Sequence, residues 1–301
     1  MARGTLHLAP TSFNYEVFVS IPGDPSVQDV ILQGMKEGGQ TTVTAGGTAY
    51  TEFKAYQFDT IKSEMWAKCK TDKLLETTSV LIANVGTSAV TLPTDFDSEV
   101  SLVIYDGEDP YRGTAQAGAS STMTLASSFS DTQEAMWGRY LFTTSGTGSG
   151  QFRQISAYDD TTKIATVSEA WTTQPDATTT YLVATYAKEL RRQDYYRGTV
   201  TAARPEIYGR MGTGMFVYPA GDDIYPIIIT YRSNLTRLDD TGSLFVKHLR
   251  ERRSLWVQGV KVKTMARYDD DRYTAEKMIW DQMLMDYAAE NVVYDRMIPN
   301  R

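Results

Sequence analysis

The chain is poor in the residues on which most enzyme and metal chemistry depends. Its 301 residues include one cysteine, Cys69, and two histidines, His7 and His248. A single thiol closes no disulfide within the chain and leaves no second thiolate for a cysteine-type metal cluster. Two histidines so far apart in sequence set most zinc and triad chemistry aside. Excess positive charge is missing too. The formal net charge is −7, the wrong sign for the overall basic footprint of a duplex-binding protein, which gains affinity by displacing counterions from phosphates. No run approaches the ~18 apolar residues of a membrane span, and Met1 to Pro10 lacks the apolar stretch of a signal peptide. The expectation is a non-enzymatic protein with no catalytic set, metal or cofactor, used without a membrane.

What is present is a globular composition, 42% hydrophobic and 22% charged. The length is about twice a ~150-residue domain, room for one large core or two smaller ones. Composition shifts sharply inside the chain. Residues 113–186 hold 25 Ser or Thr in 74 positions, with alternating runs at Thr122–Leu125, Tyr140–Thr143, Ile164–Val167 and Thr180–Val183. Alternation with β-branched residues predicts short strands, with turns at Gly146–Gly150 and Tyr158–Thr162. Trp137 and Trp171 are large enough to anchor a small core there, so 113–186 reads as a compact all-β module.

The flanks read differently. Val27, Val30, Ile31 and Met35 follow helical spacing, with Ser26 as N-cap. A longer helix is predicted from about Tyr50 to Lys70, with Phe53, Tyr56, Phe58, Ile61, Met65 and Trp66 as its apolar stripe. Val80–Ala83 and Val100–Tyr105 read as strands. Gly214–Pro219 and Tyr225–Tyr231 look like a hairpin joined by Ala220–Asp223. Two long helices follow, at about 243–266 and 271–297, the second with Asp269, Asp270 and Asp271 at its N-terminus, where the helix dipole favours negative charge. The simplest topology is a core of helices and sheet made from residues 1–112 and 187–301, with 113–186 inserted. Residues 188–301 carry 19 Lys or Arg and 16 Asp or Glu, net +3, leaving −10 for the rest.

Few motifs carry chemistry. Gly146, Gly148 and Gly150 resemble part of a phosphate loop, but Gln151–Ile155 reads as strand and supplies no helix N-terminus, so a turn is the better reading. The pairs Asp222-Asp223 and Asp239-Asp240 fall in predicted turns, where Asp caps backbone amides. Asp269–Asp271 lacks the spacing of a calcium loop. His248 reads as a surface or inter-helix residue, and Cys69 as an inert thiol. Arg250, Arg252, Arg253, Lys261 and Lys263 spread positive charge near Trp256, either as a solvated face or as a contact for an acidic surface or passing DNA. The last helix is apolar over a wide arc, including Met278, Ile279, Met283, Leu284, Met285, Tyr287, Val292, Val293, Tyr294 and Met297. Such a helix should be covered by neighbours, within the subunit or from another chain.

Two amino-terminal helices, Leu92-Pro-Thr-Asp-Phe96 leading into a strand, the hairpin of Phe216–Pro219 and Ile227–Tyr231, and two long terminal helices occur in one order. Together they resemble the head-to-tail adaptor (connector) proteins of tailed bacteriophages, over about residues 26–112 and 187–301. The inserted stretch is separately similar to a small β module of phage virion proteins, through Trp137-Gly138, Thr144–Gln151, Ile155, Trp171 and Pro175–Ala177 before Tyr181. The resemblance implies an α+β fold: a helical adaptor core with a small sheet or hairpin and two long C-terminal helices, plus the inserted all-β module. It implies a virion protein made in the host cytoplasm and placed at the head–tail junction. There a homo-oligomeric ring, usually of twelve copies, docks under the portal protein, meets tail nozzle, tube or fibre proteins, and lets double-stranded DNA pass. It carries over no catalytic residue. The two long helices would build the ring wall and Tyr294 to Arg301 would reach the portal. The expected oligomer or portal contacts are Arg250, Arg252, Arg253, Trp256, Lys261, Lys263, Met283, Tyr287, Tyr294, Met297, Ile298 and Arg301. The rival readings are another tail ring or nozzle component, or a glycan-binding tail protein stacking sugars on Trp137, Trp171 and Tyr181, aromatics that a module of ~75 residues also needs for its core.

Overall fold

The structure, a computed structural model, describes residues 26–68, 72–107, 111–193, 201–211, 214–268 and 270–297. The chain divides into two compact units, Met1–Cys69 with Leu238–Arg301, and Lys70–Arg237. Helix makes up 34% and strand 31%, and the strands form two four-stranded sheets and one seven-stranded sheet. The expected helical core with a small hairpin is therefore wrong: the flanking segments contribute two sheets of their own.

In the helical unit, α1 (Val27–Glu37) begins at Ser26. The Ser26 hydroxyl accepts the Asp29 N–H at 3.1 Å, and the Asp29 carboxylate accepts the Ser26 N–H at 2.9 Å. This reciprocal cap satisfies two amides that the first turn leaves free. The hydrogen bonds from Ser26 hold the Asp29 carboxyl below its ordinary range. The helix expected over 50–70 forms as α2 (Thr48–Phe53), a π-helical turn (Lys54–Phe58) and α3 (Asp59–Lys68). The wider turn resets the stripe. Phe53, Phe58, Ile61, Met65 and Trp66 are buried, whereas Tyr56, expected among them, is 73% exposed.

The helix expected over 243–266 is two helices, α5 (Ser243–Glu251) and α6 (Arg253–Tyr268), broken at Arg252, where φ is −116° and ψ 27°. A straight helix would set Phe245 and Trp256 about 16 Å apart along its axis. The break instead brings their rings to 5.4 Å, with Phe58 stacked on Trp256 at 5.3 Å. Then α7 (Tyr273–Met297) runs unbroken for 25 residues. α1 crosses α6 closely: a Cβ at Gly34 would lie 2.5 Å from Val260 Cβ, and one at Gly38 2.8 Å from Thr264 Cβ.

The other unit holds β1 (Glu76–Ala83), β2 (Ala89–Val90), β3 (Phe96–Asp106), β4 (Arg112–Thr114), β5 (Ala117–Gly118), β6 (Thr122–Thr124), α4 (Gln133–Met136), β7 (Tyr140–Ser145) and β8 (Phe152–Asp159). These are followed by β9 (Ile164–Val167), β10 (Thr180–Val183), β11 (Tyr186–Glu189), β12 (Arg191–Arg192), β13 (Ile207–Met211), β14 (Gly214–Tyr218) and β15 (Tyr225–Ser233). One four-stranded sheet has the order β1-β15-β3-β11 and is antiparallel throughout. The second has the order β12-β13-β14-β2. Leu81, Leu102, Ile104, Ile227 and Ile229 from the first share one core with Tyr208, Met215 and Val217 from the second.

The runs expected to pair as a hairpin, Gly214–Pro219 and Tyr225–Tyr231, thus supply strands to different sheets. β14 pairs with β13 and β2, while β15 takes β1 and β3 as partners. Gly214–Tyr218 and Ile227–Ser233 alternate buried and more open residues as a strand on a core does. Alternation shows the strand but not its distant partners.

The seven-stranded sheet, β4-β10-β7-β8-β9-β6-β5, draws its strands from residues 112–183. Met123, Leu125, Phe129, Met136, Leu141, Ile155, Trp171 and Tyr181 form its core. In the β7–β8 turn Gly146 has φ +75°, and a Cβ there would meet Thr178 O at 2.1 Å, so only glycine fits. Arg112 ties this sheet to its neighbour. Its guanidinium donates to Gly107 O and Ile224 O at 2.7 Å and to Asp106 at 3.0 Å, and it pairs with Asp223 at 3.1 Å. Tyr105 packs beside that joint against Phe142, ring centres 5.0 Å apart.

Candidate interaction surface

The longest helix has two apolar faces. At 100° per residue, Trp280, Leu284 and Tyr287 fall on one side of α7 and are buried. A Cβ at Gly259 would meet Trp280 at 2.9 Å, and the Trp280 indole donates to Glu64 at 3.3 Å. The opposite side carries Ala275, Met278, Ile279, Gln282, Met285, Asp286 and Ala289, all exposed. Met278 is 70%, Ile279 50% and Met285 59% exposed. At the start of α7, Asp270 accepts the Arg272 N–H at 2.9 Å and its guanidinium at 2.7 Å. The Arg272 hydrogen bonds pull the Asp270 carboxyl down to about 2. Of the expected acidic cap Asp269–Asp271, Asp270 binds the Arg272 amide just ahead of the helix, Asp271 is exposed, and Asp269 lies outside the described residues.

The basic residues expected to meet a partner are engaged within the chain. Lys261 pairs with Glu276 at 2.6 Å, Lys263 with Glu64 at 2.5 Å, Arg252 with Glu290 at 2.8 Å and Arg250 with Glu251 at 3.4 Å. Arg253 donates to Gln33 at 2.9 Å. Hydrogen bonds from Lys261 and Gln258 hold the Glu276 carboxyl below its ordinary range. Trp256 is fully buried, so it is a core residue and offers no contact surface. Met283 is half-buried and Tyr287 buried. Tyr294 and Met297 fall in the last turns of α7, where the backbone alone is described, and Ile298 and Arg301 lie outside the described residues.

His248 is fully buried. The Trp256 indole N–H donates to His248 Nδ1 at 3.2 Å, and His248 Nε2 meets the Tyr287 hydroxyl at 2.8 Å. Because an indole N–H only donates, Nδ1 accepts and the ring proton sits on Nε2. The chain Trp256–His248–Tyr287 links α6, α5 and α7 through the core, a structural role. Cys69 and His7 lie outside the described residues.

In the seven-stranded module Trp171 and Tyr181 are buried, and the Tyr181 hydroxyl accepts the Ala126 N–H at 3.0 Å. Trp137, expected to anchor that core, is 77% exposed. It ends the single turn α4, and Gly138 beside it has φ +79°, which turns the chain and leaves the indole outside. The paired acids cap turns or bind neighbours: Asp222 accepts the Tyr225 hydroxyl at 2.8 Å, Asp223 pairs with Arg112, and Asp239 accepts the Thr241 N–H at 3.0 Å. Asp240 binds the buried ammonium of Lys62, which lies 4.6 Å from the Phe245 ring centre. Sequence reasoning counted Met278, Ile279 and Met285 as apolar without choosing them as contacts. The signal that could have found them was their phase, opposite to the bulkier Trp280, Leu284 and Tyr287.

Among the described residues no three His, Cys, Asp or Glu stand close enough to hold a metal ion, and no helix is long and apolar enough to cross a membrane. Compared with known proteins, the chain matches no family model and no curated protein.

Proposed function

We propose that the chain is a structural subunit of a tailed-phage virion. It assembles as a homo-oligomeric ring, twelve copies on the resemblance, that joins the portal to the tail and passes duplex DNA. The observation that carries this reading is the outer face of α7, where three large apolar side chains stand in water on one 25-residue helix. Covering each would contribute on the order of 1–2 kcal/mol, and a ring repeats that contact once per copy. The sequence motifs that remain in order, the amino-terminal helices, Leu92–Phe96 leading into a strand and the long last helix, support the phage assignment. Passage of DNA needs no base contacts and no excess positive charge, in keeping with the net charge of −7.

The test is mass by light scattering of the full chain, alone and mixed with a purified portal ring, followed by negative-stain imaging. A closed ring of defined copy number on the portal is the expected result. A chain that stays monomeric and ignores the portal would overturn the reading. One observation favours a second reading, glycan binding by the β module: the exposed ring of Trp137. Trp171 and Tyr181 are buried and present no face to a sugar, so a still-folded Trp137→Ala variant that keeps glycan binding would remove it.

A further inference from the structure

We infer that the seven-stranded module carries a site for a neutral glycan, with one pyranose stacked on Trp137 and the next seated in a shallow cavity beside it. The inference rests on the second of the two readings above, glycan contact by this module, and is independent of the oligomeric ring. It adds where the sugar sits, which groups hold it and why it is uncharged.

An exposed tryptophan alone means little, since single apolar side chains are ordinary on a surface. Its neighbourhood gives it meaning. A cavity of about 320 Å³ opens where α4 meets β8 and β9, with Gln133, Ala157, Tyr158, Asp160 and Thr166 in its lining. That is the low end of the ~300–1,000 Å³ of small-molecule sites, room for a single monosaccharide. Local sequence builds the cavity. The pairing of β8 with β9 shifts register between Ile155 and Ala157, a bulge at Ser156, and bulges re-aim side chains. Ile155 and Tyr158, three residues apart, are therefore both buried, while Ser156 and Ala157 are both exposed and Ala157 is too small to fill the space above it. α4 brings Gln133 to the cavity and ends at Met136, so Trp137 follows about 6 Å further along the helix axis. The Gly138 N–H donates to Ile155 O at 3.0 Å and ties that end to β8. The indole, 77% exposed, thus stands at the rim.

The free groups are those of sugar recognition. Tyr158 is 2% exposed, and its hydroxyl finds no hydrogen-bond partner among the described residues. A buried hydroxyl left unpaired costs free energy that a ligand hydroxyl would recover. Gln133 is exposed, and Asp160 is exposed and accepts only the Thr161 hydroxyl, at 3.4 Å, among the described residues. Asp159 differs: it accepts the Thr161 and Thr162 amides and the Thr162 hydroxyl, so it braces the turn and is not open to a ligand. The electron-rich indole face suits the polarised C–H groups on one side of a pyranose, and amide, hydroxyl and carboxylate suit its hydroxyls. Among the described residues no Lys or Arg lines the cavity, so an acidic sugar would meet Asp160 with nothing to balance its charge.

The probes are maltohexaose, cellohexaose, chitohexaose and mannohexaose, with polygalacturonate as the acidic control. Each is titrated at millimolar concentration into the full chain and followed by tryptophan fluorescence and calorimetry. At least one neutral hexasaccharide should bind saturably and shift the emission to the blue, and polygalacturonate should not bind. Trp137→Ala should weaken the binding at least about tenfold, and Tyr158→Phe and Asp160→Asn about three- to tenfold each. Ala157→Leu, which fills the cavity from an exposed position, should abolish binding with the thermal midpoint held; should the midpoint fall, Asp160→Asn at the exposed turn decides in its place. Binding lost in Trp137→Ala but unchanged in Ala157→Leu, Tyr158→Phe and Asp160→Asn would overturn the cavity and leave the glycan reading standing. Polygalacturonate bound as tightly as the neutral sugars would overturn the inference through its charge argument. If no hexasaccharide binds, the inference and the glycan reading fall together, and the ring reading is untouched.

Discussion

The two units handle apolar surface in opposite ways. The sheet unit encloses its large side chains in two cores, and the apolar residues it exposes, such as Val85, Val100 and Trp137, stand singly on different elements. The helical unit buries Trp256 and Trp280 completely and yet exposes Met278, Ile279 and Met285 together on one helix. Scattered exposure is the ordinary condition of a folded surface; exposure gathered on one face is the feature on which the ring proposal rests. The polar interiors differ as well. The helical unit threads one neutral chain, Trp256–His248–Tyr287, through its core, while the sheet unit fastens its seven-stranded module with the guanidinium of Arg112.

The sharpest way to break this comparison is to damage one unit at a time. Trp280→Ala should destabilise the helical unit by about 3–5 kcal/mol through the cavity left beside Gly259. In chemical denaturation the helical signal should fall early while the sheet transition stays in place; a shared shift would mean that the units unfold as one. Arg112→Ala should cost the sheet unit about 2–3 kcal/mol, because Asp106 is left with one arginine and the carbonyls of Gly107 and Ile224 lose their donor. Near-ultraviolet circular dichroism would report it, and an unchanged midpoint would show the joint to be dispensable.

Alkali distinguishes the units more gently. Burial raises the Tyr158 hydroxyl to about 12, so the fold retains a proton that the unfolded chain releases near 10. That contribution is complete below the unfolded value and is lost as pH rises through the folded one, on the order of 2 kcal/mol in all. The midpoint of the sheet unit should fall between pH 10 and 12, and Tyr158→Phe should flatten the decline. The smallest effect belongs to Met285→Ser, which should alter the stability of the free chain by no more than about 0.5 kcal/mol while weakening self-association. A loss of 2 kcal/mol or more in the monomer would mean that the face is not free.

The legible parts of the fold were those written in local pattern. Ser26 followed by Asp29 predicts the cap of α1, and the alternating runs between 113 and 186 predict strands that form. What escaped were relations between distant segments. β15 reads as a strand from Ile227, Ile229 and Tyr231 alone, but its partners lie well over a hundred residues upstream. Likewise the break at Arg252 has no glycine or proline to announce it, and its cause is the aromatic packing it permits between Phe245 and Trp256. The interaction surface was half legible: the breadth of the apolar arc on the last helix is a sequence property, whereas only packing decides that Tyr287 lies inside and Met285 outside.

The helical unit is assembled from two stretches of chain that bracket the sheet unit, and this sets a clock. Arg253 donates to Gln33 across 220 residues of sequence. At the usual rates of synthesis that interval is roughly 10–45 s. During it α1 waits beside a ribosome that is still delivering the sheet unit, and Gly34 has no Val260 to meet. Trp280 of α7, which packs beside Gly259, is made later still. The core of the helical unit therefore closes only after the whole sheet unit has been synthesised.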